Sequence, residues 1–185
     1  MATSVLQEQY KQEVFPRLFK EGGYTNQMQV PRVTKIVINT GVGTSREKEA
    51  LEEAVQTLSL ITGQKPVVAK ARKSVSQFKL RAGMPVGVKV TLRRTMMYNF
   101  LYRLINIVLP RVRDFRGISA NGFDGRGNYS LGLSEQSVFT EVNLDKMKHT
   151  IGMNISIITT AETDKEAYNL LRSFGMPFAG GSGGE

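Results

Sequence analysis

Between Val86 and Arg93 the chain alternates without a break: Val86, Val88, Val90 and Leu92 fall on one side, Gly87, Lys89, Thr91 and Arg93 on the other. Successive side chains of a strand point to opposite faces, so this pattern describes a strand with one apolar face built for a core and one basic, hydrogen-bonding face left for water or a polyanion. Any fold that contains it needs a sheet whose two faces differ. The strand lies inside a longer anomaly. From Ala54 to Arg113, sixty residues include no Asp or Glu but twelve Lys and Arg: Lys65, Lys70, Arg72, Lys73, Lys79, Arg81, Lys89, Arg93, Arg94, Arg103, Arg111 and Arg113. The formal net charge is +9, so the other 125 residues sum to −3. A solvated face ordinarily mixes signs. A block of one sign repels itself, and a polyanion is the usual partner that offsets the repulsion.

The 185 residues predict one domain, 1–178, followed by a flexible Gly/Ser-rich tail, 179–185. An apolar content of 41% suits a folded core. There is no Cys, which excludes disulfides, thiolate metal sites and thiol nucleophiles and suits a reducing cytosol. The polar first twenty residues do not read as a signal peptide, and the longest apolar run, near Phe100 to Leu109, is interrupted by Arg103 and Asn106. The expectation is a soluble cytoplasmic protein.

Residues 4–20 read as an amphipathic helix, with Leu6, Tyr10, Val14 and Leu18 four apart and Ser4 and Gln7 as a capping box. Val33 to Asn39 reads as a strand with Ile36 and Ile38 on one face and Lys35 and Asn39 on the other. Thr44 and Glu47 form a second capping-box pattern, opening a helix that turns Leu51, Ala54, Val55, Leu58 and Ile61 inward and stops at Gly63. A short strand, Val67 to Ala69, precedes a basic loop from Lys70 to about Pro85, whose Gly83-Met84-Pro85 tip predicts a mobile span without regular structure. After the alternating strand, Thr95 is the expected cap of a helix ended at Leu109 by Pro110. Residues 111–128 are rich in turn formers; Tyr129 to Leu133 and Met153 to Thr160 are expected strands, and Thr163 with Glu166 opens a last helix closed by Gly175 and Pro177. The order predicts an α+β fold: an antiparallel or mixed sheet with helices packed on one face and the other face open. An open polar sheet face is one way to hold structured RNA.

Catalytic readings fare worse. Gly41-Val42-Gly43 lacks the third glycine of a dinucleotide fingerprint and the Gly-Lys-Ser/Thr of a phosphate loop, so it reads as a tight turn. His149, the only histidine, lacks a nucleophile or metal cluster in the sequence, and Asp145 and Glu141 read as surface. Asn121 to Asn128 has too few carboxylates for a Ca²⁺ loop. Met96, Met97, Phe100 and Leu101 read as core. No cofactor, metal site or catalytic residue is expected. The alternatives to a non-enzymatic RNA binder are a nucleic-acid-processing enzyme that docks substrate on the basic face and, more weakly, a peripheral binder of anionic membranes; the helices carry too few basic residues on one face for the latter.

Longer motifs carry a resemblance. Lys35-Ile-Val-Ile-Asn-Thr-Gly-Val-Gly43, Ile61-Thr-Gly-Gln-Lys-Pro66, the run from Lys73 to Arg93, Leu109-Pro-Arg-Val-Arg-Asp-Phe-Arg-Gly117 and Phe123-Asp-Gly-Arg-Gly-Asn-Tyr129 together resemble the bacterial large-subunit ribosomal protein five family. The resemblance runs from the first helix to Phe178. It implies a non-enzymatic constituent of the cytoplasmic ribosome that anchors 5S rRNA in the central protuberance, with 23S rRNA and neighbouring large-subunit proteins as further partners and no membrane. It also implies rRNA contacts at Asn39, Gln64 and Thr91, to which the open polar sheet face and the basic block add Lys35, Lys65, Lys89 and Arg93 as expected rRNA contacts. It implies P-site tRNA contacts at Lys73, Ser76, Gln77, Lys79, Arg81 and Met84, and an intersubunit bridge to a small-subunit head protein. Where the family commonly carries Arg-Gly-Met-Asp, this chain has Ile151-Gly-Met-Asn154.

Overall fold

A computed structural model of the chain describes residues 4–43, 48–143 and 147–179. The Thr44–Glu47 capping box, Asp145 and the tail beyond residue 179 lie outside the described residues. The helical run at the start comprises α1 (Val5–Gln9), a π-helical turn (Tyr10–Val14) and α2 (Phe15–Glu21). Residues spaced strictly by four drift by roughly 40° per step around a helix of 3.6 residues per turn. The wider π turn takes up that drift, and Leu6, Val14 and Leu18 are all buried. The expected Ser4–Gln7 capping box is corrected: the Ser4 side chain makes no cap, and its backbone carbonyl accepts from Gln7 and Glu8 N–H instead. Ser4 is itself buried.

Among the described residues five strands follow, interleaved with helices: β1 (Val33–Gly41), α3 (Lys48–Thr62), β2 (Val67–Lys70), β3 (Pro85–Leu92), α4 (Arg94–Arg103), β4 (Tyr129–Leu133), β5 (Met153–Thr159) and α5 (Asp164–Ser173). They make an open antiparallel sheet in the order β2-β3-β1-β5-β4, an α+β fold. Each long strand buries alternate residues: Ile36, Ile38 and Thr40 in β1, Val88, Val90 and Leu92 in β3, Met153, Ile155, Ile157 and Thr159 in β5. The residues between them form the sheet's exposed side.

By contacts the chain divides into two compact units, one of Met1–Ile36, Leu92–Leu131 and Ser156–Glu185, the other of Val37–Thr91 and Gly132–Ile155. In the first, α1 packs on α4, and Tyr10 stacks on Phe174 while donating its hydroxyl to the Pro31 carbonyl. The expected Thr95 cap is not made. Arg93, extended at φ −139°, stands at the helix start, and β3 ends one residue earlier than its alternation suggested. Helix α4 continues into a π turn (Leu104–Val108) and a 3-10 turn (Leu109–Arg111), so the run does not end at Leu109; Pro110 sits in the first turn of that closing 3-10 segment, where its missing N–H is tolerated. Met97, Phe100 and Leu101 are core as expected, but Met96 is 43% exposed. The α5 capping box forms as read, Thr163 accepting from Glu166 N–H and Glu166 accepting from Thr163 N–H.

In the second unit, Ala54, Leu58 and Ile61 of α3 are fully buried together with Ile38, Val88 and Val90 of the sheet. Gly87 sets the spacing of β3 against β1. A Cβ built there would stand 2.6 Å from the Thr40 carbonyl oxygen, a backbone atom that cannot swing aside. Gly87→Ala is therefore expected to lower stability by about 1–3 kcal/mol through overpacking, read as a lower midpoint in urea with an unchanged slope; a midpoint equal to the parent's would show that the strands separate freely.

Candidate nucleic-acid interface

The exposed side of the second unit's strands follows from the alternation. Lys89 and Asn39 are exposed and Val37 and Thr91 half-buried. Val67 of β2 pairs with Lys89 and is itself 60% exposed, so an apolar residue stands opposite the basic one in the strand register. Gln64 and Lys65 are exposed just after α3. The turn that presents them is set locally: Gly63 takes φ +67°, and the Thr62 hydroxyl donates to Leu58 O and receives Gln64 N–H. Of the expected rRNA residues, Asn39, Gln64, Lys65, Lys89 and Thr91 thus belong to this unit, while Lys35 (half-buried) and Arg93 (exposed) belong to the first.

The basic loop differs from its sequence reading. Instead of an irregular span it is closed by its own backbone. Ala71 N–H donates to Met84 O at 2.8 Å and Gly83 N–H to Ala71 O at 2.9 Å. Further out, Val75 and Leu80 exchange two hydrogen bonds of 2.9 and 3.0 Å around a 3-10 turn, Ser76–Phe78. Ser74 accepts Ala82 N–H, and Lys79 adopts a left-handed φ of +50° that reverses the chain at the tip. Short local bonds among Gly, Ser and Ala explain why no hydrophobic period announced this hairpin. Lys73, Ser76, Gln77, Lys79, Arg81 and Met84 all lie on it, Ser76, Gln77 and Lys79 at its tip and Met84 at 37% exposure near its base. Phe78 is there too, 69% exposed. The sequence reading passed over Phe78, although an aromatic set among basic residues is the signal of a base-stacking surface.

Charge inside this unit is divided. Lys65, Lys70, Arg72, Lys73, Lys79, Arg81 and Lys89 make no ion pair with a carboxylate among the described residues. The described acids lie elsewhere, at Glu49, Glu52 and Glu53 on α3 and at Glu135 and Glu141 beyond β4. On α3, Glu49 pairs with Lys148 at 3.1 Å and Glu53 with His149 Nδ1 at 3.0 Å. Burial pushes the Glu53 carboxyl up, but hydrogen bonds from His149 and from the Lys148 N–H outweigh it and hold the carboxyl below its usual range. Gln136 completes the fastening, donating to His149 O at 2.8 Å and accepting Ile151 N–H. His149 therefore anchors the segment after residue 146 to α3.

The Asn121–Asn128 loop is likewise structural. Asp124 accepts Arg126 N–H and Asn128 N–H, and Asp164 at the start of α5 accepts Gly125 and Gly127 N–H. The Asn128 side chain and these backbone donors hold the Asp124 carboxyl below its usual range. Among the described residues no group of three or more His, Asp or Glu could hold a metal ion, and no helix is long and apolar enough to cross a membrane.

The arrangement offers phosphates unpaired ammonium and guanidinium groups, and offers base edges or riboses neutral donors and acceptors, Asn39, Gln64 and Thr91. Comparison with known proteins agrees with a ribonucleoprotein role. Residues 26–81 match the family model described as ribosomal protein L5, and residues 85–178 match the model of the same ribosomal family's C-terminus. Similar relatives include the large ribosomal subunit protein uL5 of Thermotoga maritima, 59% identical over 177 residues that make up 95% of this chain and 96% of that one. The uL5 proteins of Caldanaerobacter subterraneus and Lactobacillus acidophilus are 58% and 55% identical over 95% of this chain and 99% and 98% of theirs. All three are named as ribosomal proteins, none as an enzyme. A chain matched along nearly its whole length by both halves of one family and by such relatives belongs to the ribosomal protein L5 family of the large ribosomal subunit.

Proposed function

We propose that this non-enzymatic large-subunit protein holds 5S rRNA on the open sheet side of its second unit and reaches P-site tRNA with the 71–84 hairpin. Family membership makes it a constituent of the cytoplasmic ribosome, associated with rRNA and other ribosomal proteins. The finer reading is supported chiefly by one observation: seven basic residues without a carboxylate partner among the described residues share a unit with exposed neutral amides and hydroxyls. In the second unit Lys65 and Lys89 are assigned to phosphates and Asn39, Gln64 and Thr91 to bases or 2′-hydroxyls, while Lys35 and Arg93, in the first unit, are assigned to phosphate contacts of their own. Contacts with 23S rRNA and a bridge to a small-subunit head protein belong to the same proposal.

A gel shift comparing 5S RNA with random RNA of equal length tests it, with preferential binding of 5S as the supporting result. Thr91→Ala is expected to weaken 5S binding by about 1 kcal/mol, roughly fivefold, and to leave random RNA unaffected. Equal losses on both RNAs would remove Thr91 from selective recognition.

A further inference from the structure

We propose that Asn154 is a second amide of the RNA-reading row, acting beside Asn39 to select 5S RNA, a role that rests on the 5S reading above. Both residues are exposed, both belong to the second unit, and their strands β5 and β1 are neighbours in the sheet. Both alternate with buried partners, Ile38 and Thr40 around Asn39, Met153 and Ile155 around Asn154, so both stand on the open side. Neither side chain has a hydrogen-bond partner among the described residues. Ser130 and Ser156 of β4 and β5, in the first unit, instead satisfy each other at 2.9 Å.

The strand beyond β5 leaves Asn154 room. Gly132 of β4 carries no side chain, and a Cβ built there would stand 3.3 Å from Asn154 Oδ1. An RNA strand can therefore approach the amide over a bare backbone. An amide oxygen accepts from a ribose 2′-hydroxyl or a base amino group, and its NH₂ donates to a base carbonyl or ring nitrogen. Because Asn154 is neutral, its contribution is to selectivity, whereas Lys89 contributes to all RNAs alike.

The experiment measures binding of 5S RNA and of equal-length random RNA by the whole protein, as wild type, Asn154→Ala and Lys89→Ala, across a salt series. The expected result for Asn154→Ala is about a fivefold loss on 5S, no loss on random RNA and an unchanged salt slope, while Lys89→Ala weakens both RNAs and flattens the slope. Gly132→Ala, which crowds the Asn154 amide by a few tenths of an ångström without removing it, is expected to give a smaller selective loss and stands in should Asn154→Ala not fold. Wild-type binding without preference for 5S sinks the 5S reading and this role with it. Wild-type preference that survives Asn154→Ala undiminished, or equal losses on both RNAs, overturns the role of Asn154 alone.

Discussion

Replacing Lys89 by Glu is expected to lower affinity for 5S RNA and for random RNA alike by more than tenfold at moderate salt. Lys89 is exposed in the middle of β3, beside Val67, and has no carboxylate partner among the described residues, so its charge is fully available to a phosphate. Inverting it removes one attraction and adds one repulsion. Two electrostatic terms of about 1 kcal/mol each already amount to roughly thirtyfold. The salt series provides the signature. Each phosphate neutralised contributes a slope of about −0.7 to −0.9 in log K against log salt, so the loss shrinks as salt rises and the slope becomes shallower by about one unit. Thermal stability should hardly change, because an exposed strand position away from caps and core typically moves stability by no more than about 0.5 kcal/mol. Filter binding with parallel thermal melts checks both. Unchanged affinity in a folded variant would take the RNA off this side of the sheet.

Deleting Gln77–Arg81 is expected to leave 5S affinity within about twofold while ribosomes assembled with the variant release P-site tRNA about tenfold faster. The deletion removes Lys79, Arg81, Phe78 and the Leu80 half of the Val75–Leu80 pair. It spares the Ala71–Met84 and Gly83–Ala71 bonds that close the hairpin at its base, so β2 and β3 keep their register from Val67↔Lys89 to Ala69↔Gly87. Loss of a single charge-assisted contact to a phosphate accounts for a factor of about ten. Because the hairpin is held by its own hydrogen bonds, its shape is expected to persist in the free protein, where the amides of Val75 and Leu80 should be protected from hydrogen exchange. A deletion variant that folds yet no longer binds 5S would instead assign the hairpin to rRNA anchoring.

Much of this protein was legible because the relevant physics is local. A period of two places Lys89 and Thr91 opposite Val88 and Val90 whatever the rest of the chain does, and sixty residues without an acid leave a basic block that no neighbour in sequence can neutralise. The α5 capping box was readable for the same reason, its two partners lying three residues apart. Local rules failed where competing local bonds were equally short. Ser4 and Thr95 are good caps in isolation, yet Ser4 is buried and Arg93 occupies the start of α4. The 71–84 hairpin is held by backbone and serine bonds that leave no apolar period to read. What only the tertiary structure decided is which distant residues share a surface. The sheet order β2-β3-β1-β5-β4 sets Asn39 and Asn154 on neighbouring strands although 114 residues separate them in the sequence, and it empties the space beside Asn154 by placing Gly132 there. Strand pairing of that kind is chosen by the burial of whole faces and by the closure of long connections, so no window of sequence contains it.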